Sequence, residues 1–161
     1  MDFLIKEESW RFSKSKALQE DLRKCIYRAG EDLYLRDSYL IANENAHVAE
    51  RSIVFRFGLY LEQCLRSSKR LMQYHLDCEY NRNLDDPKRI ASRPNGSAPD
   101  LIVHRRGTNE DNLLIVECKG YWAEEHQLEQ DRVKLREFLT FPYFYTFGLL
   151  IRFERESMAL E

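Results

Sequence analysis

Apolar and polar positions divide the chain into alternating helical and extended stretches. Over residues 15–29, Leu18, Leu22, Cys25, Ile26 and Ala29 recur at steps of three and four. That spacing lines one face of a helix, and Gly30 is expected to stop it. Residues 31–41 read as a second, less regular helical segment, while Trp10 and Phe12 stand among charges as a core cap or a partner contact. The longest helix is expected over residues 46–71, with Asn43 and Asn45 as candidate N-caps. Its apolar stripe holds Ala46, Ala49, Ile53, Val54, Phe57, Tyr60, Leu61, Cys64 and Leu65, and Glu50 falls inside that stripe.

Residues 76–82 alternate as a strand, with Leu76, Cys78 and Tyr80 on one face and Asp77, Glu79 and Asn81 on the other. Residues 83–97, punctuated by Asp86-Pro87 and Pro94-Asn95-Gly96, read as loop. Two apolar runs, 101–103 and 113–116, flank a turn-rich segment and read as a β-hairpin. Residues 123–140 carry Leu128, Leu135, Phe138 and Leu139 at helical spacing before Pro142, and residues 144–153 suit a buried strand. The order is helix, strand, strand, strand, helix, strand, behind an N-terminal helical extension over residues 1–43. A helix between the last two strands acts as a crossover, so an α/β fold with a mixed central sheet flanked by helices is expected.

Composition narrows the picture without naming a chemistry. The 161 residues suit a single compact domain. At 43% hydrophobic and 32% charged the chain is too apolar for a disordered one. A formal net charge of -2 excludes a wholly basic surface, so nucleic-acid binding must come from a local patch or a dimer groove. Cysteines 25, 64, 78 and 118 form no close pair and read as buried free thiols in a reducing compartment. With neither a basic, apolar leader nor an apolar run of membrane-spanning length, a cytoplasmic location is expected.

The hairpin carries the candidate chemistry. With a loop over residues 106–111, Arg105 faces Asn112, and the ladder sets Asp100 opposite Glu117. Lys119 lies two residues beyond Glu117 and shares its face, whereas the Cys118 side chain points the other way. A pair of carboxylates beside an ammonium is costly to assemble unless it holds a cation or performs chemistry. Glu50 on its stripe has two readings: a third carboxylate at this site, or a first-turn residue favoured by the helix dipole. His104 alternates onto the Asp100 face, as a substrate contact or an exposed strand end. Basic residues gather at Arg66, Lys69 and Arg70, at Arg82, Lys88, Arg89 and Arg93, and at Arg105 and Arg106, as phosphate contacts or as solvated surface.

Pro99-Asp100 followed by Glu117-Cys118-Lys119 resembles the motif of the PD-(D/E)xK nucleases, the restriction-endonuclease-like superfamily. The resemblance covers roughly residues 44–154 and implies an αβββαβ core. It implies metal ligation by Asp100, Glu117, the Cys118 carbonyl and Glu50, with Asp100, Glu117, Lys119 and Glu50 as the catalytic set. The implied cofactor is Mg2+, with Mn2+ as a substitute, and the implied activity is phosphodiester hydrolysis in DNA, in defence, repair or mobile-element biology. Gln127, Asp131 and Lys134 share one side of the following helix. There they support the site, with Gln127 and Lys134 joining Arg105 and Arg106 as substrate contacts, or form a solvated face. A catalytically silent binding module and an RNA-directed nuclease are the competing readings. No separate recognition domain fits within this length, so a homodimer, a partner protein or the N-terminal helices would supply specificity.

Overall fold

The computed structural model describes residues 4–5, 16–43 and 48–161, the first two by their backbone. Trp10, Phe12, Asn45, Ala46 and His47 lie outside the described residues. The elements are β1 (Leu4–Ile5), α1 (Lys16–Arg36), α2 (Tyr39–Ala42), α3 (Glu50–Ser67), β2 (His75–Cys78), β3 (Arg82–Asn83), β4 (Asp86–Pro87), β5 (Leu101–His104), β6 (Leu114–Gly120), α4 (Glu125–Phe138), β7 (Phe147–Phe153) and β8 (Met158–Leu160). The main sheet runs β2-β5-β6-β7, and β1 and β8 both pair along the outer side of β7. Strands β2, β5 and β6 are mutually antiparallel, while β6 and β7 are parallel and joined through α4. The fold is therefore mixed α/β, as the hydrophobic pattern predicts. Among the described residues no helix is long and apolar enough to cross a membrane.

Alternation along the strands sends side chains into two cores. Leu101, Val103, Leu114, Val116 and Cys118 pack against the α1 and α3 face with Leu22, Ile26, Phe57 and Leu61. Ile102, Ile115 and Leu150 face α4 and pack with Leu128, Leu135 and Phe138. The N-terminal helix α1 thus shares its core with the sheet that the hairpin builds.

Several boundaries differ from the sequence reading, each for a local reason. Helix α1 runs through Gly30 to Arg36, because Gly30 faces Met158 of β8 and a Cβ there would meet its Cε at 2.7 Å. The glycine is a packing notch and not a stop. Asn43 follows α2 as its C-cap, and α3 begins at Glu50 behind Ala49, with no side-chain cap. Helix α3 ends at Ser67, where the Ser68 backbone N–H donates to the Leu65 carbonyl, and Leu71 is buried in the turn beyond.

Strand β2 stops at Cys78 because Glu79 takes φ +48°. That break reverses the alternation, so Tyr80 packs with the α4 core and not beside Leu76. Cys78 is exposed, so only Cys25 and Cys118 are fully buried thiols; all four cysteines are free. His104 is buried and not an exposed strand end, with Nε2 2.8 Å from Asp77 Oδ2. Lys88, expected in a basic loop, is 2% exposed. Its ammonium donates to Tyr145 Oη at 3.1 Å and stands 5.2–5.7 Å from the ring centroids of Tyr80, Phe138, Tyr143 and Tyr145.

Candidate functional site

The hairpin register is the expected one: Leu101 pairs with Val116, Ile102 with Ile115 and Val103 with Leu114. One step further along this ladder sets Asp100 opposite Glu117. Strand β5 begins only at Leu101, so β6 would leave a backbone N–H unpaired beyond its end. Asp100 Oδ2 accepts that N–H, from Cys118, at 2.7 Å. One oxygen of the candidate ligand therefore also completes the sheet.

Glu117 is 2% exposed. Lys134 Nζ, reaching over from α4, lies 2.8 Å from its Oε1 but off the angle that a hydrogen bond requires. The same ammonium donates to the Ala98 carbonyl at 3.1 Å. Burial pushes the Glu117 carboxyl up to about 8 against the opposing pull of Lys134. Burial also raises Asp100, although the Cys118 N–H and the two lysines favour its charged form.

Lys119 stands between two acids. Its Nζ is 3.0 Å from Asp131 Oδ2 on α4 and 3.4 Å from Glu50 Oε1 on α3, and it also donates to the Cys118 carbonyl at 3.1 Å. Burial works against its charge, yet Asp131, Glu50 and Asp100 together hold its pKa above the ordinary lysine range. Glu50 reaches the site because the first turn of α3 meets the end of β6, where Glu50 Oε2 accepts the Gly120 N–H at 2.9 Å. The residue on the apolar stripe is thus turned toward the hairpin.

The structure brings together Asp100, Glu117, Cys118, Lys119, Glu50, Asp131 and Lys134. It does not bring Arg105 and Arg106 there. Both lie at the turn end of the hairpin, the opposite end of β5 from Asp100, where Arg106 pairs with Asp77 and Arg105 with Asp111. Gln127, at the start of α4, lines a groove with Lys119 and Glu50, and its Oε1 also accepts the Glu124 N–H at 3.0 Å and closes a capping box. Glu79 pairs with Arg51 at 2.8 Å on the rim of a groove that Asp100 also lines. Tyr121 and Trp122, which follow the strand that carries Glu117 and Lys119, line the groove on the other side of Glu50. Their position directly after Lys119 was the available signal.

Among the described residues no three His, Cys, Asp or Glu side chains are gathered closely enough to hold an ion as they stand. Lys119 and Lys134 are the groups that engage the acids. The donor chemistry nevertheless fits a hard divalent cation, which prefers carboxylate and carbonyl oxygens. Glu117 Oε1 is a buried oxygen without a hydrogen bond. The acids Asp100, Glu117, Glu50 and Asp131 outnumber the two lysines by two charges when all are ionised, which one divalent ion would balance. Comparison of the chain with family models, curated proteins and solved structures finds no match.

Proposed function

We propose that the chain is a metal-dependent phosphodiesterase acting on nucleic acid, with DNA as the first expectation and Mg2+ as the cofactor. The observation that carries this reading is Glu117: a buried carboxylate, contacted by Lys134 at 2.8 Å and register-paired with Asp100 beside an open groove. Four acids gathered around two lysines are costly to hold charged together without a further cation. The run α3-β2-β5-β6-α4-β7 is read as a restriction-endonuclease-like core, and the protein as a cytoplasmic enzyme whose specificity comes from a second copy or a partner.

Asp100, Glu117, Glu50 and the Cys118 carbonyl would hold the ion. When bound, it supplies Lewis-acid stabilisation of the phosphate charge and a more acidic water. The chain's own groups do the rest. Lys119, bridged between Glu50 and Asp131, is fixed where it offsets charge on the scissile phosphate and orients the attacking water. Lys134 limits repulsion between Glu117 and Asp100. Asp100 keeps its orientation through the Cys118 N–H.

The test is incubation with single-stranded and duplex DNA and with RNA, each in Mg2+, Mn2+ or EDTA, beside a Lys119→Ala variant. Cleavage that needs the metal and falls steeply in the variant supports the reading. Equal cleavage in EDTA, or by the variant, removes it. A second reading, a silent nucleic-acid-binding module, draws on the lysines: Lys119 and Lys134 already engage Glu50, Asp131 and Glu117. Binding without cleavage in any metal would favour it.

A further inference from the structure

We infer that Trp122 is a stacking platform for an unpaired nucleobase, so that the site takes single-stranded nucleic acid, or a frayed end, in preference to intact duplex. This rests on the phosphodiesterase reading of Asp100, Glu117 and Lys119. Immediately beyond Lys119 the chain reads Gly120-Tyr121-Trp122. The indole folds back over Gly120: a Cβ at that position would come within 2.4 Å of its ring carbons. One part of the ring is thus seated on backbone, where only glycine leaves room.

The remainder is open, since Trp122 is 48% exposed. Tyr121 braces it edge-on, with centroids 5.0 Å apart and planes at 82°. Tyr121 is held in turn, by the Arg155 guanidinium 4.8 Å from its ring centroid and by Arg152 donating to its carbonyl at 3.0 Å. An aromatic ring fixed on one side and bare on the other loses little entropy when it receives a flat partner.

The surroundings favour a base over a double helix. Trp122 shares its groove with Lys119 and Glu50, so a base on the indole has its phosphate next to the carboxylate cluster. The groove on the far side of Glu50 holds Arg51 and Asp100. Among the described residues lining the two grooves, the cations are Lys119 and Arg51, and each pairs with a carboxylate. Duplex binding draws its affinity from many phosphate contacts, which this surface is poorly supplied to make. Single-strand binding adds base–aromatic stacking, which is tolerant of sequence and supplied here by the indole.

The chain has two tryptophans, so Trp10→Phe leaves Trp122 as the sole indole reporter. Its fluorescence is followed while a short oligothymidylate, an oligouridylate or a blunt DNA hairpin is added, in EDTA and again in Ca2+. Saturable quenching by the single strands is expected, with the hairpin at least roughly ten-fold weaker. In the full chain, followed by anisotropy of labelled oligonucleotide, Trp122→Ala should weaken single-strand binding roughly ten-fold or more, and Trp122→Phe should retain most of it. Equal affinity for hairpin and single strand, wild-type binding by Trp122→Ala, or no single-strand quenching in either condition would overturn the inference. Binding is read without cleavage, so the two proposals fail separately. Stacking without Mg2+-dependent cleavage would sink the phosphodiesterase reading alone, and cleavage with unaltered Trp122→Ala binding would sink the platform alone.

Discussion

Asp100 shows how one side chain serves sheet and site together. Its Oδ2 accepts the Cys118 N–H at the point where β5 no longer covers β6. Asp100→Ala should therefore destabilise the fold by about 1–3 kcal/mol by leaving a buried donor unpaired. Asp100→Asn keeps an acceptor and should unfold in urea near the wild-type midpoint, while both variants lose metal-dependent cleavage. Equal destabilisation by both would mean that the hydrogen bond contributes nothing. Glu117 makes a second prediction. Its folded pKa, about 8, lies above the ordinary 4.5, so the folded protein binds this proton more tightly than the unfolded chain. The stability it contributes is complete below about pH 4.5 and is lost as pH rises through about 8. Metal-free protein should thus weaken across that window by an amount on the order of a few kcal/mol, and Glu117→Gln should flatten the decline. Denaturant midpoints against pH measure this, and a variant with the wild-type slope would refute it. At this scale the pairing of Asp100 with Glu117 was legible, because strand register is arithmetic. The left-handed backbone at Glu79 and the burial of Lys88 were not, since both depend on what packs against them.

The elements were legible wherever one face repeats. The apolar stripes of α1, α3 and α4, the hairpin and the parallel β7 all follow from spacing alone. Their ends depend on distant partners: Gly30 reads as a stop until Met158 lies across it, and Asn43 reads as an N-cap although α3 starts behind Ala49. Helix α4 starts on a capping box, an unusual one with Glu124 at the cap. Gln127→Ala should cost about 1 kcal/mol of stability by opening it, visible as a lower thermal midpoint. An unchanged midpoint would mean that the box contributes nothing to stability. The box also matters for the site, since α4 carries Asp131 to Lys119 and Lys134 to Glu117.

Across the whole molecule, the segment after β2 is tied down by a cation in an aromatic enclosure. Burial lowers Lys88 to about 8, against the pull of Asp77. The folded state holds this proton less tightly than the unfolded chain, so the penalty is complete below about pH 8 and fades as pH rises toward 10.5. Lys88→Met, which fills the enclosure without charge, should gain stability relative to wild type at neutral pH and lose that advantage by about pH 10. Denaturation of the two proteins side by side reads the difference, and an advantage that does not change with pH would exclude the lysine's titration as its source. The outer side of β7 has a different consequence. Two short strands, β1 opposite Phe147 and Gly148 and β8 opposite Ile151 to Phe153, lie end to end along it. Between them they act as a selvage, closing a border that would otherwise offer bare amides to any passing chain. Trimming residues 158–161 should therefore unravel solubility before it unravels the fold, with concentration-dependent oligomers in light scattering while the remaining helices keep their circular dichroism.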